Sequence, residues 1–191
     1  MVWLAGAAVL SGCGGDDLSG PVRTTPPVSY AAYDAQSAAL HATWDPAGFT
    51  PPASLPLSGA AQFAGVMRLH LEGAAGDIPL NGATVLNVAF ASNSLSGSAS
   101  GFVGVSGDQY AGTLTVVNGT IDRAADPQNQ YTFSANMSGT LSGAAGSFAL
   151  TADMNGDFLG ANHGAASGLV AGSLASAAGT GYLFGDFIAE R

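Results

Sequence analysis

Cys13 is the only cysteine of the chain, and it closes the run Leu10-Ser11-Gly12-Cys13 at the end of a short apolar N-terminal stretch. A signal peptidase that cuts before such a cysteine leaves a thiol for lipidation, and the acyl chains then anchor the protein to a membrane. The pattern predicts a lipoprotein signal peptide over residues 1–12 and a lipidated Cys13. The alternative, a buried free cysteine, fits poorly with the glycines on either side.

The three histidines are the residues that could bind haem or a transition metal. His70 lies on the polar face of a strand-like stretch in which charged and apolar residues alternate. This position favours a solvated histidine on the surface. His163 lies in the loop Ala161-Asn162-His163-Gly164, and His41 lies in a proline-rich region. No two of them have the local spacing of metal ligands, so we expect no metal site.

Three polar residues imitate the first half of a calcium-binding loop, namely Asp153, Asn155 and Asp157. Phe158 stands where that loop needs glycine, and Gly164 stands where it needs glutamate. We therefore interpret the three side chains as the polar face of a strand.

Motifs for catalysis are missing from the sequence. It contains no Gly-x-Ser-x-Gly elbow, no phosphate-binding glycine loop and no His-Glu-x-x-His. A pair of catalytic carboxylates distant in the chain stays open. We expect a binding or structural protein and not an enzyme.

The charge balance is strongly acidic. The chain has no lysine, and its four arginines face thirteen acidic residues, for a net charge of −9. Such a chain repels nucleic acid, so we expect no nucleic-acid partner.

Proline marks the boundary between an N-terminal extension and a folded domain. Seven of the nine prolines precede Leu57, and chain of this kind favours an extended, hydrated conformation. We predict a lipid anchor and proline-rich tether over residues 13–57. Within it, Tyr33 to Trp44 could form a short helix, and the pair Tyr30 and Trp44 suggests that part of the tether packs on the domain.

From Ser58 onward, apolar and polar residues alternate with the period of half-buried strands. In the clearest stretch, Met67, Leu69 and Leu71 share one face, while the residues between them share the other. Similar runs give about eight strands over residues 58–191. We read Asn81-Gly82 and Asn118-Gly119 as turn signals between or near them.

Eight antiparallel strands with one apolar face form either a barrel or a two-sheet sandwich. Of the 28 glycines, 22 follow Leu57, and glycine within strands permits the bends that closure requires. We therefore predict a soluble eight-stranded antiparallel β-barrel with its apolar side inward. An interior of this size is filled by its own side chains, and we expect the large residues to do so. These are Met67, Phe133, Phe148 and Phe158.

Three motifs follow one another in this domain. They are Phe-Ala-Ser-Asn-Ser-Leu-Ser-Gly at residues 90–97, Gly-Asp-Phe-Leu-Gly-Ala at 156–161 with a glycine-rich run behind it, and Gly-Tyr-Leu-Phe-Gly at 181–185. Their types and order resemble the single-barrel, surface-lipoprotein relatives of transferrin-binding protein B. The resemblance covers residues 58–191.

This resemblance implies a surface-exposed or outer-membrane lipoprotein that binds a host protein, haem or another iron source through loops of the barrel. It implies an outer-membrane export barrel as a further partner. It also places Asn162 and His163 in a loop that presents binding surface, and makes them candidate ligand-binding residues. Two alternatives stay open: a structural envelope lipoprotein without a small-molecule ligand, and an eight-stranded transmembrane barrel.

Overall fold

The structure is a computed structural model that describes residues 29–73 and 76–191, so Cys13 and the predicted signal peptide lie outside the described residues. Within these residues, one α-helix precedes eight β-strands. Their bounds are α1 Tyr30–Trp44, β1 Ala60–Gly73, β2 Gly76–Ala89, β3 Ser94–Gly104, β4 Gln109–Ile121, β5 Phe133–Gly143, β6 Gly146–Leu159, β7 Ala165–Ser176 and β8 Gly179–Glu190. Within the described ranges, no helix is both long and apolar enough to cross a membrane.

The eight strands form a closed up-and-down barrel. Each strand pairs antiparallel with the next, and β8 closes on β1. In the register of β1, Leu69 lies opposite Leu80 of β2 on one side and Gly185 of β8 on the other. The predicted eight-stranded antiparallel barrel is therefore confirmed.

The apolar faces of the strands point into the barrel. Phe158 lies at the centre of an aromatic cluster, with the ring centroids of Phe133, Phe63 and Phe90 at 5.2, 5.7 and 6.3 Å. All four large residues expected inside are buried in the same core. This orientation is the reverse of a transmembrane barrel, whose apolar band faces lipid.

The two Asn-Gly pairs lie inside strands, so their interpretation as turn signals was wrong. Asn81-Gly82 falls in β2, where the register with β3 shifts between Asn81 and Ala83. A Cβ on Gly82 would come within 2.6 Å of the Phe102 ring, so the absence of a side chain lets that ring fill the interior. Asn118 has φ of 55° at a similar shift in β4. These pairs therefore mark β-bulges, which bend a strand around the barrel.

Helix α1 packs on the outer wall of the barrel. It begins at Tyr30, three residues before the predicted start, because the Ser29 side chain accepts a hydrogen bond from Ala32 N at 3.2 Å and caps it. Tyr33 is fully buried against Val66 and Val103. Those two valines point outward from the barrel, so they need a cover.

The described part of the expected tether is thus ordered, in contrast to the extended, hydrated chain that its prolines favour. Asn81 Nδ2 donates to Tyr30 O at 3.3 Å, and Thr50 N donates to Phe158 O at 2.8 Å. Apolar residues along this segment, including Leu55, pack against the barrel. The free energy gained by burying them outweighs the preference of the prolines for an extended chain.

Candidate functional site

One end of the barrel collects the loops 90–93, 122–132 and 160–164 together with the chain's C-terminus. We call it the closed end because the segment 45–57 lies across it. Leu55 is 2% exposed and belongs to the barrel core. The barrel interior at this end is therefore sealed by the N-terminal segment.

Arg123 fixes this seal. Its guanidinium donates to Leu55 O at 2.8 Å, to Pro56 O at 2.6 Å and to Phe90 O at 3.1 Å, while Nε donates to Asn93 Oδ1 at 2.5 Å. All four hydrogen bonds therefore join the N-terminal segment and two loops. We assign Arg123 to structure and not to ligand binding.

His163 and Asn162 also lie at the closed end. The His163 ring packs edge-on against Phe90 with 5.1 Å between centroids, and Nε2 lies 2.9 Å from Nη1 of Arg191. Burial, and then the Arg191 charge, lowers the pKa of His163. Asn162 is exposed. A ligand of Nε2 would therefore have to displace Arg191.

The other two histidines lie on the outer wall. His70 Nδ1 lies 3.1 Å from Asp77 Oδ1, and His41 Nδ1 lies 3.1 Å from Asp45 Oδ1. The residues that the structure describes include no group of three His, Cys, Asp or Glu side chains close enough to hold a metal ion.

Two adjoining depressions of about 280 and 320 Å³ lie on the wall of β6 and β7 near the closed end. They share Phe49, Tyr131 and Asp157, and we call these three residues the Asp157 cleft. Phe49 is 44% exposed and Tyr131 is 45% exposed, whereas Asp157 is only 6% exposed. Two accessible aromatic rings therefore accompany one buried carboxylate.

Asp157 is held by one neighbour. Its Oδ1 accepts hydrogen bonds from Thr132 N at 2.9 Å and Thr132 Oγ1 at 2.7 Å. Burial raises the pKa of the Asp157 carboxyl, and the two bonds from Thr132 oppose that change. Oδ2 accepts no hydrogen bond from any described residue. The cleft therefore offers one carboxylate oxygen to an incoming group.

Asp153, Asn155 and Asp157 share one face of β6, as the sequence predicted, but the structure buries one of them. Asp153 lies on the outer face of β6 and is exposed, as predicted, and Asp157 shares that face. It is nevertheless buried, because the N-terminal segment and the loop before β5 lie over this part of the strand. Phe49 and Tyr131 carry no motif that would have singled them out.

A second feature is an exposed aromatic patch on the wall of β7, β8 and β1. Tyr182 is 73% exposed, Phe184 is 43% exposed and Leu169 is 53% exposed. Phe184 stacks on His70 with 5.0 Å between ring centroids and 5° between planes. We call these four residues the aromatic patch. The run Gly-Tyr-Leu-Phe-Gly signals it, because a strand that is apolar on both faces needs a cover or a partner.

Similarity to a solved structure supports the fold assignment. No protein-family model matches the chain, and no curated protein matches it by sequence. Among solved structures, a double mutant of the vaccine antigen Transferrin Binding Protein B from Haemophilus parasuis matches with a TM-score of 0.51 and 18% identity. The match covers 74% of this chain, which spans only 27% of that protein. At this identity the likeness concerns the fold: the chain has a barrel similar to one found in Transferrin Binding Protein B, as the sequence motifs predicted.

Proposed function

We propose that this chain is a lipid-anchored binding protein of the bacterial outer membrane, displayed at the cell surface, that recognises a protein partner with the outer wall of its barrel. The aromatic patch is the observation that carries the proposal. Exposed aromatic side chains grouped on one wall are typical of protein-binding surfaces, where tyrosine is enriched among the residues that contribute most energy.

The filled interior supports a binding surface on the outside. Phe133 and Phe158, with Met67 and Leu80, occupy the centre of the barrel and are at most 1% exposed. A ligand inside would have to displace these side chains at a large cost in packing. Loops and outer wall are therefore the surfaces available for recognition.

Transferrin is the first partner to test, because the fold relative is named for binding it. The protein starting at Gly14 is immobilised, and iron-loaded transferrin is passed over it in a surface plasmon resonance experiment. We expect saturable binding that falls at least tenfold in the double variant Tyr182→Ser, Phe184→Ser. The matched control is Val105→Ser, since Val105 is 64% exposed and lies in a loop away from the aromatic patch.

A partner other than transferrin is identified by a photoreactive residue placed at position 182 on intact cells. A discrete cross-linked protein that disappears with Phe184→Ser supports the proposal, and the same residue at position 105 is the control. If purified transferrin does not bind and position 182 cross-links nothing, the proposal fails and a structural envelope lipoprotein is favoured.

Haem bound through His163 is a separate prediction with its own test. Addition of haem to the purified protein would shift the Soret absorbance, and His163→Ala would abolish the shift. Arg191→Gln frees Nε2 and should strengthen any such binding, because Nε2 lies 2.9 Å from Arg191 in the structure. If neither the native protein nor the Arg191→Gln variant shows a Soret shift, haem is excluded as a ligand. That result does not bear on the proposal of a protein partner.

Lipidation and display are tested through Cys13. We expect the native protein in the outer-membrane fraction and sensitive to protease added to intact cells. Cys13→Ser should move it to a fraction soluble without detergent. Protease resistance on intact cells with sensitivity after lysis would place the barrel on the periplasmic side.

A further inference from the structure

We propose that the Asp157 cleft binds a guanidinium group, the side chain of an arginine presented by a partner chain. The cleft is lined by β6, β7, the loop before β5 and the segment 45–49, and it shares strand β7 but no residue with the aromatic patch. This inference rests on residues other than those of the aromatic patch, so either can fail alone.

The carboxylate is incompletely satisfied. Thr132 supplies two hydrogen bonds to Oδ1 of Asp157, and the other oxygen receives none from the described residues. A carboxylate that is only 6% exposed loses much of its hydration, so a paired cation recovers electrostatic energy that bulk water no longer provides. Oδ2 is the atom placed to accept that charge-assisted hydrogen bond.

The flanking rings favour guanidinium over other cations. Phe49 and Tyr131 line both depressions and remain nearly half exposed. A guanidinium is planar and weakly hydrated, so it can stack on an aromatic face while its N–H groups reach a carboxylate. An ammonium is a compact, strongly hydrated charge and gains less from the rings.

The charges around the cleft have one sign. Asp45 lines the larger depression together with Asp157, and none of the described arginines lines either depression. The described arginines are engaged elsewhere: Arg68 pairs with Asp186, while Arg123 and Arg191 contact the closed end. An arginine from a partner is thus the complementary occupant.

The experiment uses blocked arginine, Nα-acetyl-arginine amide, titrated into the ¹⁵N-labelled protein. We expect low-millimolar binding, with the largest shift at the Thr132 amide, because that amide donates to Asp157. Asp157→Asn keeps an acceptor for Thr132 but removes the charge, and should weaken binding at least tenfold. Asp153→Asn is the matched control, since it removes one charge from the same strand outside the cleft and should leave binding unchanged.

Further arms separate the possible outcomes. Blocked citrulline, the neutral isostere of arginine, should bind at least tenfold more weakly, and an arginine-containing peptide should bind at least as tightly as the blocked amino acid. Equal binding of citrulline, equal binding to an Asp157→Asn variant that keeps the native fold, or no shift at all overturns the proposal. If the Arg23→Gln variant bound blocked arginine more tightly, the chain's own Arg23 would be the side chain that occupies the cleft. That result would overturn the proposal that a partner supplies the arginine.

Discussion

The closed end gives a sharp test of whether the segment before Leu57 belongs to the folded domain. Leu55 is 2% exposed within the barrel core, whereas Leu57 is 81% exposed. The same substitution to alanine at these two positions therefore removes a buried side chain in one case and a solvated side chain in the other. If the segment were a free tether, both substitutions would change the free energy of unfolding by the same small amount. If it seals the barrel, Leu55→Ala would cost far more than Leu57→Ala.

The magnitude follows from the three carbon atoms that Leu55→Ala removes from the core. At about 0.8 kcal/mol for each buried methylene the transfer loss is about 2.4 kcal/mol, and the residual cavity raises the total to about 3 kcal/mol. For a domain of this size, that loss lowers the melting temperature by about 6 to 12 °C. Leu57→Ala should change the free energy of unfolding by less than about 0.5 kcal/mol.

The assay is denaturant unfolding of the protein starting at Gly14, followed by circular dichroism and by fluorescence of Trp44, its single tryptophan. Both signals should change together in the native protein, because α1 and the barrel unfold as one cooperative unit. A loss below about 1 kcal/mol for Leu55→Ala, or a Trp44 transition well before that of the barrel, would refute the assignment of residues 29–57 to the fold.

Three further predictions concern single contacts. A Cβ on Gly164 would overlap the Trp44 ring. Gly164→Ala should therefore lower the free energy of unfolding by about 1 to 3 kcal/mol and red-shift Trp44 emission. An unchanged emission spectrum would contradict the packing of Trp44 on Gly164. Burial and the Arg191 charge lower the pKa of His163, so Arg191→Gln should raise that pKa part of the way towards its ordinary value in an NMR titration, and no change would exclude the Arg191 effect. Burial raises the pKa of Asp157, so its ionisation costs stability as pH rises through that pKa, and Asp157→Asn should unfold at a higher temperature than the native protein at neutral pH. That gain should shrink on acidification, and a gain that grows at low pH would show that the pKa is not raised.

The alternation of side chains predicted the strands, and the glycines within them favoured a barrel over a sandwich. Met67, Leu69 and Leu71 alternate with polar residues in the sequence and lie on the inner face of β1. A strand has only two faces, so the alternation predicts which residues share a face. It does not by itself fix the inward side, because a transmembrane barrel alternates in the same way with its apolar side outward. The sequence could not predict bulges, because Asn-Gly suits both a hairpin turn and a bulge, and the pairing of neighbouring strands decides between them.

The candidate sites were largely beyond sequence reasoning. Asp157 alternates with apolar residues as a solvated side chain would, and only the packing of the segment containing Phe49 buries it. That packing joins residues more than 100 positions apart, as the bridge between Phe49 and Leu159 shows. Tyr182 and Phe184 were visible as part of a family-like motif, but their exposure depends on where α1 ends on the outer wall.

The docking of α1 also changes what an anchor at Cys13 would do. Fifteen residues lie between Cys13 and Ser29, and this stretch spans at most about 55 Å when fully extended. Residues 14–57 as a free tether would reach about 150 Å by the same measure. A lipidated Cys13 would therefore hold the barrel much closer to the membrane than the proline content suggests.

The anchor and the two surfaces then have a defined relation around the barrel. The chain enters at Tyr30, which contacts Asn81 on β2, and α1 extends to β8, where Trp44 Nε1 donates to Glu190 at 3.1 Å. The aromatic patch borders the helix, because Phe184 and Asp186 are successive outward positions and Asp186 lies 3.7 Å from His41. The Asp157 cleft lies on β6 and β7, and Ser167 of its lining is two positions before Leu169 of the aromatic patch on the same strand. The two surfaces are therefore neighbours on the barrel wall, and one partner can contact both.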